Sequence, residues 1–339
     1  MLIVMKAAAT PAEVDAVLET VRAIGLRPHP LPGATRTAIG ITGNTAAIDG
    51  RRFEHLAGVA EVIRVTKPYK LITLDLRPEK TVVDVAGAKI GGAEFAIIAG
   101  PCAIESRDQA IAVAQAVCKS GARFFRGGVY KPRTSPYTFQ GLGDKGWDIL
   151  REIRESFGLR IVTEAIDESS LDTVERYADV IQIGARNMQN FSLIKRAGRS
   201  KLPVLLKRGI AATLEEWLLA AEYIMAEGNY NVILCERGVR TFAQHTRNTL
   251  DLAAVPAIRR ISHLPVIVDP SHGSGNTYMV TPLARAAVGV GADGLMVEVH
   301  NQRDIALSDG AQALTPEEYA ELVQQVNAMH ELTRRFTPA

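Results

Sequence analysis

The chain has 339 residues, of which 47% are hydrophobic and 22% charged, and a formal net charge of +2 at pH 7. This composition is typical of a globular protein with a large core, and the small net charge gives no general attraction to nucleic acid or membrane. No charged segment precedes a long apolar run at the N-terminus and no apolar stretch reaches about 18 residues, so neither a signal peptide nor a membrane span is expected. Three cysteines form an odd, sparse set, which favours a reducing cytoplasm over a disulfide framework.

Residues 1–66 have the pattern of a small βαββαβ unit, which is the ferredoxin-like order. The predicted elements are a strand at 2–5, a helix at 10–25, strands at 26–31 and 37–42, a helix at 47–56 and a strand at 59–65. Thr10-Pro11 is a typical helix start, and Pro32-Gly33 is a typical turn between strands. No set of residues suited to catalysis occurs in this unit.

Residues 67–93 are predicted to form a connecting segment that contains a β-hairpin. Residues 71–76 and 81–85 alternate in the manner of strands on either side of residues 77–80. We expect the hairpin to cover the bottom of the domain that follows, and a plain linker is the alternative.

Residues 94–339 alternate between short β-branched runs and amphipathic helical stretches. The runs predict strands at 95–99, 122–126, 160–164, 180–183, 203–207, 232–236, 265–269 and 294–299. Apolar runs between helices are typical of parallel strands buried on both faces, and eight β/α units close a barrel more readily than an open sheet. The predicted fold is therefore an α/β protein, a (β/α)8 TIM barrel with an N-terminal ferredoxin-like domain. The active site of such a barrel lies at the carboxyl ends of its strands.

The helix after the first barrel strand has a clear apolar stripe. Ser106 is its predicted N-cap, and Val113, Val117 and Cys118 belong to the stripe before Gly121 ends the helix. Cys118 is therefore predicted to be a buried structural thiol.

Polar or ionisable side chains follow all eight predicted strands. The cationic ones are Arg126, Lys131, Arg133, Arg186, Lys207, Arg208 and Arg237. Converging cations repel one another and destabilise a fold unless an anion neutralises them. Arginine suits bidentate contacts to phosphate or carboxylate, lysine adds a point charge, and nearby glycines expose backbone N–H groups. The set predicts a site for two phosphates and a carboxylate, although any single member has a surface position or a salt bridge as its alternative.

A second set of side chains follows strands one, seven and eight, which are neighbours in a closed barrel. It consists of Cys102, His272, Glu298 and Asp309. A thiolate, an imidazole and two carboxylates suit a divalent Mn, Fe, Co or Zn ion better than Ca²⁺. The alternatives are a packed thiol for Cys102 and an arginine partner for Glu298. His300 is a candidate to support these ligands or to pack in the core, and Cys235 is expected to be packed.

A metal ion beside a cationic pocket has a clear chemical use. The ion can polarise an aldehyde oxygen as a Lewis acid while the cations hold phosphorylated molecules, and Lys131 can donate a proton to the developing alkoxide. No P-loop or dinucleotide fingerprint is present, so neither ATP nor NAD is implied.

Several strings at these strand ends resemble those of type I 3-deoxy-D-arabino-heptulosonate 7-phosphate synthases. They are Gly100-Pro101-Cys102, Lys131-Pro132-Arg133-Thr134-Ser135, Gly184-Ala185-Arg186-Asn187-Met188, Leu206-Lys207-Arg208-Gly209, Cys235-Glu236-Arg237-Gly238 and Asp269-Pro270-Ser271-His272. The resemblance runs from about residue 68 to the C-terminus. It is strongest to the β subtype, whose members carry an N-terminal ferredoxin-like regulatory domain.

The resemblance implies an activity and a role for each site residue. The implied reaction is the condensation of phosphoenolpyruvate with erythrose 4-phosphate that opens the shikimate pathway, with water added at C2 and phosphate lost by C–O cleavage. The implied metal ligands are Cys102, His272, Glu298 and Asp309. The implied phosphoenolpyruvate site contains Arg126, Lys131, Ala185, Arg186, Lys207 and Arg237, and the implied erythrose 4-phosphate site contains Arg133, Thr134 and Ser135. Lys131, Cys102, His272 and Glu164 are the expected catalytic residues, with Glu164 steering the water or a proton.

The resemblance also implies regulation through residues 1–66. Tyrosine or phenylalanine can bind this domain in the family and inhibit, and pairing between such domains implies a homo-oligomer, expected to be a tetramer. The alternative for the domain is a module that only stabilises or oligomerises the protein.

Two other functions are compatible with parts of the sequence. The sister synthase of 3-deoxy-D-manno-octulosonate 8-phosphate uses arabinose 5-phosphate, but it usually has Lys-Ala-Asn-Arg where this chain has Lys131-Pro132-Arg133-Thr134, and it lacks the N-terminal domain. A catalytically silent sensor of aromatic amino acids is the other alternative. The complete metal and phosphate sets argue against it, because a decayed site is expected to have lost some of its members.

Overall fold

The computed structural model describes residues 1–33, 35–44, 48–63, 68–133 and 135–336. In these residues an antiparallel sheet near the N-terminus precedes a closed barrel of parallel strands. The N-terminal elements are β1 (Leu2–Met5), α1 (Pro11–Ala23), β2 (Arg27–Pro32), β3 (Thr37–Thr42), α2 (Arg51–Glu54) and β4 (Val59–Ile63). Their sheet has the order β2-β3-β1-β4, which is the arrangement of a ferredoxin-like fold.

The two faces of the N-terminal sheet have different partners. On one face, α1 begins at a capping box formed by Thr10 and Glu13 and buries Val17 and Val21 in a separate apolar cluster. On the other face, the sheet packs against the connecting segment, whose Leu71 side chain contacts the backbone at Gly40. α2 is shorter than predicted, and residues 45–47 and 64–67, where parts of the predicted second helix and last strand fall, lie outside the described residues.

The predicted pairing of residues 71–76 with residues 81–85 is wrong. The observed hairpin joins β5 (Val83–Val85) to β6 (Ala88–Ile90). Its two-residue turn, Ala86-Gly87, has φ values of 49° and 87°, which suit a tight hairpin. The apolar residues at 71–76 are buried in turns that pack against the sheet and the barrel, so their alternation reflects burial and not strand pairing.

The hairpin lies across the amino ends of the barrel strands. The side chains of Val83, Val85 and Ile90 are buried in one cluster with inward-facing barrel residues such as Phe124 and Val180. This apolar plug closes one end of the barrel and leaves the other end for polar side chains.

The barrel has the strand arrangement that the sequence predicts. Its strands are β7 (Ala96–Gly100), β8 (Phe124–Arg126), β9 (Arg160–Ala165), β10 (Val180–Ile183), β11 (Val204–Lys207), β12 (Val232–Glu236), β13 (Val266–Val268) and β14 (Gly294–Glu298). Neighbouring strands pair in parallel, and β14 pairs with β7 from Gly294↔Ala96 to Glu298↔Gly100, which closes the barrel. The predicted fold class is thus confirmed, and every predicted barrel strand lies within two residues of the observed one.

Helices surround the barrel between its strands. They are α3 (Arg107–Lys119), α4 (Lys145–Phe157), α5 (Glu168–Tyr177), α6 (Phe191–Gly198), α7 (Leu214–Ala226), α8 (Ala254–Arg259), α9 (Pro270–Ser274), α10 (Thr277–Gly289) and α11 (Pro316–Arg334). Ser106 caps α3 as predicted. The prediction that Cys118 is buried is wrong. Its side chain is exposed because it lies beside the buried stripe that contains Val113 and Val117. Among the described helices, none has both the length and the apolar character needed to cross a membrane.

Candidate active site

A polar cavity of about 330 Å³ opens at the carboxyl ends of the barrel strands. Its cationic lining residues are Arg126, Lys131, Arg133, Arg186, Lys207, Arg237 and Arg247. Cys102, His272 and Asp309 line the same cavity, and Glu164 and Gln182 lie on its wall. The side chains after separate strands therefore converge, as the position of active sites in such barrels predicts.

Four side chains at one side of the cavity form a group able to hold a metal ion. One ligand atom from each of Cys102, His272, Glu298 and Asp309 lies within 4.8 Å of the others. Cys102 Sγ is 3.0 Å from an Asp309 oxygen and 3.9 Å from His272 Nε2, which is 3.0 Å from a Glu298 oxygen. The sequence named these four residues from positions up to 207 residues apart.

Local backbone geometry directs two of these residues to the group. Gly100 ends β7, and a Cβ atom there would stand 1.9 Å from the carbonyl oxygen of Arg126, so only glycine allows this approach. The chain can thus bring Cys102 next to the end of β8. Asp309 has φ +53°, a left-handed conformation that aspartate tolerates better than most residues.

Asp269 sets the orientation of His272. Asp269 is the N-cap of α9 and accepts the His272 backbone N–H at 2.9 Å. Its other oxygen lies 2.7 Å from His272 Nδ1 and 2.6 Å from the Lys207 ammonium. Because Nδ1 faces this carboxylate, Nε2 faces the four-residue group, which is the arrangement of a metal-binding histidine.

Cations neutralise the carboxylates of the group. Arg126 donates to Glu298 at 2.7 Å, and Lys131 donates to Cys102 Sγ at 2.5 Å and to Asp309 at 2.9 Å. Burial opposes ionisation of Glu298, but His272 and Arg126 hold the pKa of its carboxyl well below the usual range. Burial likewise opposes the charge on Lys131, but Cys102, Glu298 and Asp309 raise the pKa of its ammonium.

The donor chemistry of the group fits a borderline divalent ion. Burial, together with the charge of Glu298, raises the pKa of the Cys102 thiol to about 12. A divalent ion would favour the thiolate, and one sulfur, one imidazole nitrogen and carboxylate oxygens suit Mn²⁺, Fe²⁺, Co²⁺ or Zn²⁺. All four side chains are buried or half-buried, so an ion held there would be largely shielded from solvent.

Arg237 is a further cation of the cavity lining. Arg237 is buried, and burial lowers the pKa of its guanidinium. Its Nη1 atom has no hydrogen-bond partner in the part of the chain that the structure describes. Arg186 also lines the cavity. A buried guanidinium that lines a cavity and has an unpaired N–H is suited to pairing with an anion.

Arg208 does not belong to the cavity, which corrects the prediction that it contributes to the cationic set. Its guanidinium donates to Glu236 and Asp251, both at 2.8 Å, behind the end of β12. Successive residues of an extended segment point in opposite directions, so Lys207 faces the cavity and Arg208 faces the helices.

Arg133 and Ser135 lie at the outer part of the cavity with Thr138. Arg133 Nε donates to Thr138 Oγ1 at 3.0 Å. Thr134, the third residue predicted for the aldose phosphate, lies outside the described residues.

Glu164 and Ala185 also line the cavity. Gln182 donates to the Glu164 carboxylate at 2.9 Å. A Cβ atom on Gly184 would stand 2.1 Å from the other Glu164 oxygen, so this glycine leaves room for the carboxylate beside Ala185.

His300 and Cys235 do not belong to the four-residue group that could hold a metal ion. Cys235 is packed in the barrel interior, as expected. His300 Nε2 lies 3.3 Å from Glu105, whose other oxygen accepts backbone N–H groups of Leu307 and Ser308. Glu105 therefore fixes the loop that carries Asp309.

Sequence reasoning missed three residues around the site. Arg247 lines the cavity and lies 3.3 Å from Asp309 and 3.0 Å from Gln312, and Gln312 donates to Glu298 at 2.7 Å. Arg247 lies in a long loop after β12 and not at a strand end, and Gln312 carries no charge, so neither gave a signal. Asp269 was visible at the end of a predicted strand, and its spacing of three residues from His272 indicates an N-cap.

A closed β/α barrel whose cationic cavity lies beside a group able to hold a metal ion is typical of enzymes that act on phosphorylated metabolites. The DAHP synthetase I family matches residues 78–335, and the DAHP synthase ferredoxin-like domain matches residues 1–67. The chain belongs to the DAHP synthetase I family.

Known proteins are similar to three quarters or more of the chain. It is 50% identical over 329 residues to the phospho-2-dehydro-3-deoxyheptonate aldolase of Thermotoga maritima, covering 97% of each chain. A crystal structure of a DAHP synthase from the same organism matches with a TM-score of 0.78 at 49% identity, covering 98% of this chain and 97% of that one. A 2-dehydro-3-deoxyphosphooctonate aldolase of Bradyrhizobium diazoefficiens is 33% identical over 276 residues, covering 75% of this chain and 96% of that protein.

Proposed function

We propose that this enzyme is a transferase, a 3-deoxy-7-phosphoheptulonate synthase. It condenses phosphoenolpyruvate with erythrose 4-phosphate and water to give 3-deoxy-D-arabino-heptulosonate 7-phosphate and phosphate. This reaction opens the shikimate pathway and thus aromatic amino acid biosynthesis. The observation that carries the proposal is a cavity whose cations face a thiol-imidazole-carboxylate group, in a chain of this family.

One divalent ion is proposed to bind Cys102, His272, Glu298 and Asp309. Such an ion would supply Lewis-acid polarisation of the aldehyde oxygen. Its identity among Mn, Fe, Co and Zn is not set by these ligands, because all four metals accept mixed sulfur, nitrogen and oxygen donors.

Phosphoenolpyruvate is proposed to occupy the inner part of the cavity. Its phosphate and carboxylate are matched there by Arg126, Lys131, Arg186, Lys207 and Arg237, with Ala185 on the adjoining wall. The unpaired Nη1 of Arg237 supports this position, since burying a cation without a partner is costly. Fixing both anionic groups would hold the enol carbon in one orientation.

The phosphate of the aldose is proposed to bind Arg133, Thr134 and Ser135, of which Arg133 and Ser135 line the cavity. In this pose the C3 carbon of the enol attacks the aldehyde carbon, and Lys131 donates a proton to the alkoxide that forms. The hydrogen bonds of Lys131 to Cys102 and Asp309 support this role, since they hold its ammonium beside the proposed ion site. Water then adds at C2, steered by Glu164, and the C–O bond to phosphate breaks.

The chain is proposed to divide into a regulatory domain at residues 1–66, a linker with hairpin at 67–93 and a catalytic barrel at 94–339. Tyrosine or phenylalanine bound to the regulatory domain would inhibit the barrel, and the enzyme would act as a homo-oligomer, a tetramer by resemblance. Titration of the full chain with each amino acid tests the inhibition. Inhibition that persists unchanged after removal of residues 1–66 would contradict this assignment.

The sister reaction with arabinose 5-phosphate is the second candidate, because relatives named for that chemistry align with three quarters of the chain. These relatives leave about a quarter of the chain unaligned. Turnover with each aldose, measured by phosphate release with and without a chelator, tests the proposal. We expect preference for erythrose 4-phosphate and loss of activity on metal removal, whereas preference for arabinose 5-phosphate would overturn the substrate assignment.

A further inference from the structure

Asp269 contacts both halves of the proposed active site. Its side chain has no exposed surface, and one of its oxygens is shared by His272 Nδ1 at 2.7 Å and the Lys207 ammonium at 2.6 Å. His272 belongs to the ion group, and Lys207 belongs to the anion cavity. This one carboxylate oxygen is therefore a direct bridge between two sites that bind different ligands.

We infer that Asp269 is a positioning residue for both sites: it fixes the tautomer of His272 for the metal ion and the place of Lys207 for phosphoenolpyruvate. This inference depends on the proposed function for the identity of the two ligands. It assigns to Asp269 more than capping α9, because the cap uses only the oxygen that faces the His272 backbone N–H.

The effect on His272 follows from donor and acceptor chemistry. A carboxylate accepts a hydrogen bond from Nδ1–H, which leaves Nε2 with a free lone pair toward the ion. In Asp269→Asn, one amide oxygen replaces two acceptors. If that oxygen keeps the cap, the NH2 group faces Nδ1 and favours the tautomer with a proton on Nε2, which blocks ligation.

The effect on Lys207 is electrostatic. Lys207 is buried, with 4% of its surface exposed, and the Asp269 carboxylate neutralises its ammonium. An amide in place of the carboxylate removes the counter-charge and presents N–H groups to a cation. The ammonium then loses the partner that holds it at the cavity wall.

The test compares Asp269→Asn with Glu236→Gln. Glu236 is an equally buried carboxylate at the end of the preceding strand, but it pairs with Arg208 behind the cavity. Titration calorimetry would measure Mn²⁺ affinity of each metal-free protein, and then phosphoenolpyruvate affinity at Mn²⁺ concentrations that saturate each variant. We expect D269N to weaken Mn²⁺ binding about 10- to 100-fold and phosphoenolpyruvate binding about tenfold or more, while E236Q changes both less than about threefold.

A third variant separates the two effects. Lys207→Gln removes the cation but leaves the Asp269–His272 contact, so we expect weaker phosphoenolpyruvate binding with Mn²⁺ affinity retained. If D269N weakens only one ligand, or neither, the double role is wrong. Wild-type protein that binds neither Mn²⁺ nor phosphoenolpyruvate would instead overturn the proposed function itself.

A measurement on the wild-type protein covers the case in which D269N does not fold. Nitrogen NMR of histidine-labelled, Zn²⁺-loaded protein, with the His272 signals identified from His272→Gln, reports which ring nitrogen carries the proton. Protonated Nδ1 and metal-bound Nε2 are expected, and the reverse tautomer would overturn the inference.

Discussion

The two ends of the barrel are formed by the same strands but differ in almost every physical property. At the amino end, the hairpin β5–β6 places Val83, Val85 and Ile90 in an apolar plug. At the carboxyl end, charged side chains surround a cavity, and buried carboxylates are balanced by cations. The comparison shows that burial of apolar side chains stabilises the amino end of the barrel. At the carboxyl end, buried charges are stabilised by opposite charges on neighbouring side chains and by ligands.

The strongest test of this division removes an ion ligand from the carboxyl end. Cys102→Ala should lower kcat/KM at least about a thousandfold, about 4 kcal/mol, because the proposed ion would lose its sulfur ligand. The variant should remain folded, as judged by its thermal melting curve. The matched control is Cys118→Ala, which removes an exposed thiol on α3 and should leave kcat/KM within about twofold. Near-wild-type turnover of the Cys102 variant would exclude its role as a ligand.

The corresponding test at the amino end removes apolar packing from the plug. Ile90 is fully buried in the plug, so Ile90→Ala should lower the free energy of unfolding by about 2–5 kcal/mol. Chemical denaturation measures this loss, and kcat/KM of the folded variant should stay unchanged. Lys89→Ala, at the exposed neighbouring position, is the control with little effect on either quantity. A large fall in kcat/KM after the Ile90 substitution would show that the two ends are not independent.

A smaller effect is expected from one cation of the cavity. Arg186→Ala should raise KM for phosphoenolpyruvate about 10- to 100-fold, since a hydrogen bond to a charged group contributes about 1.5–3 kcal/mol. Initial-rate kinetics at saturating aldose measures the change. Arg199→Ala, which removes a surface arginine paired with Glu227, is the matched control. An unchanged KM would remove Arg186 from the substrate site.

A further effect concerns the dependence of stability on pH at the amino end. His263 lies between the Thr81 hydroxyl and the Leu71 carbonyl, and burial lowers its pKa to about 4. The unfolded chain binds this proton more tightly, so stability should fall as pH drops from about 6.5 toward 4, by at most about 1.4 kcal/mol per pH unit. Denaturation at several pH values should show a shallower slope for His263→Gln. An identical slope in that variant would assign the pH dependence to other groups.

The sequence predicted the barrel well because its signals are local and repeated. Each buried strand is a short apolar run, and a polar residue follows each run at the same relative position. The cavity then follows from closure, since a closed barrel brings all carboxyl strand ends to one rim. For that reason the sequence predicts that Cys102 and Asp309 belong to one group, although 207 residues separate them.

The errors arose where contacts between distant residues decide the structure. The apolar residues at 71–76 alternate like a strand, but they are buried in turns by the sheet and barrel around them. Arg208 has the same charge as Lys207 and also lies at the end of a strand. It is absent from the cavity only because its side chain points toward Glu236. Arg247 reaches the site from a long loop, for which the sequence offers no period or fixed spacing.

The left-handed backbone of Asp309 has a practical consequence for enzyme engineering. At φ +53°, residues other than glycine, asparagine and aspartate are strained. For most amino acids substituted at this position, a loss of activity could therefore come either from lost ion binding or from a distorted loop. Among substitutions, asparagine alone both tolerates the left-handed conformation and offers an oxygen atom as a metal ligand. It is therefore the informative starting point for altering metal selectivity.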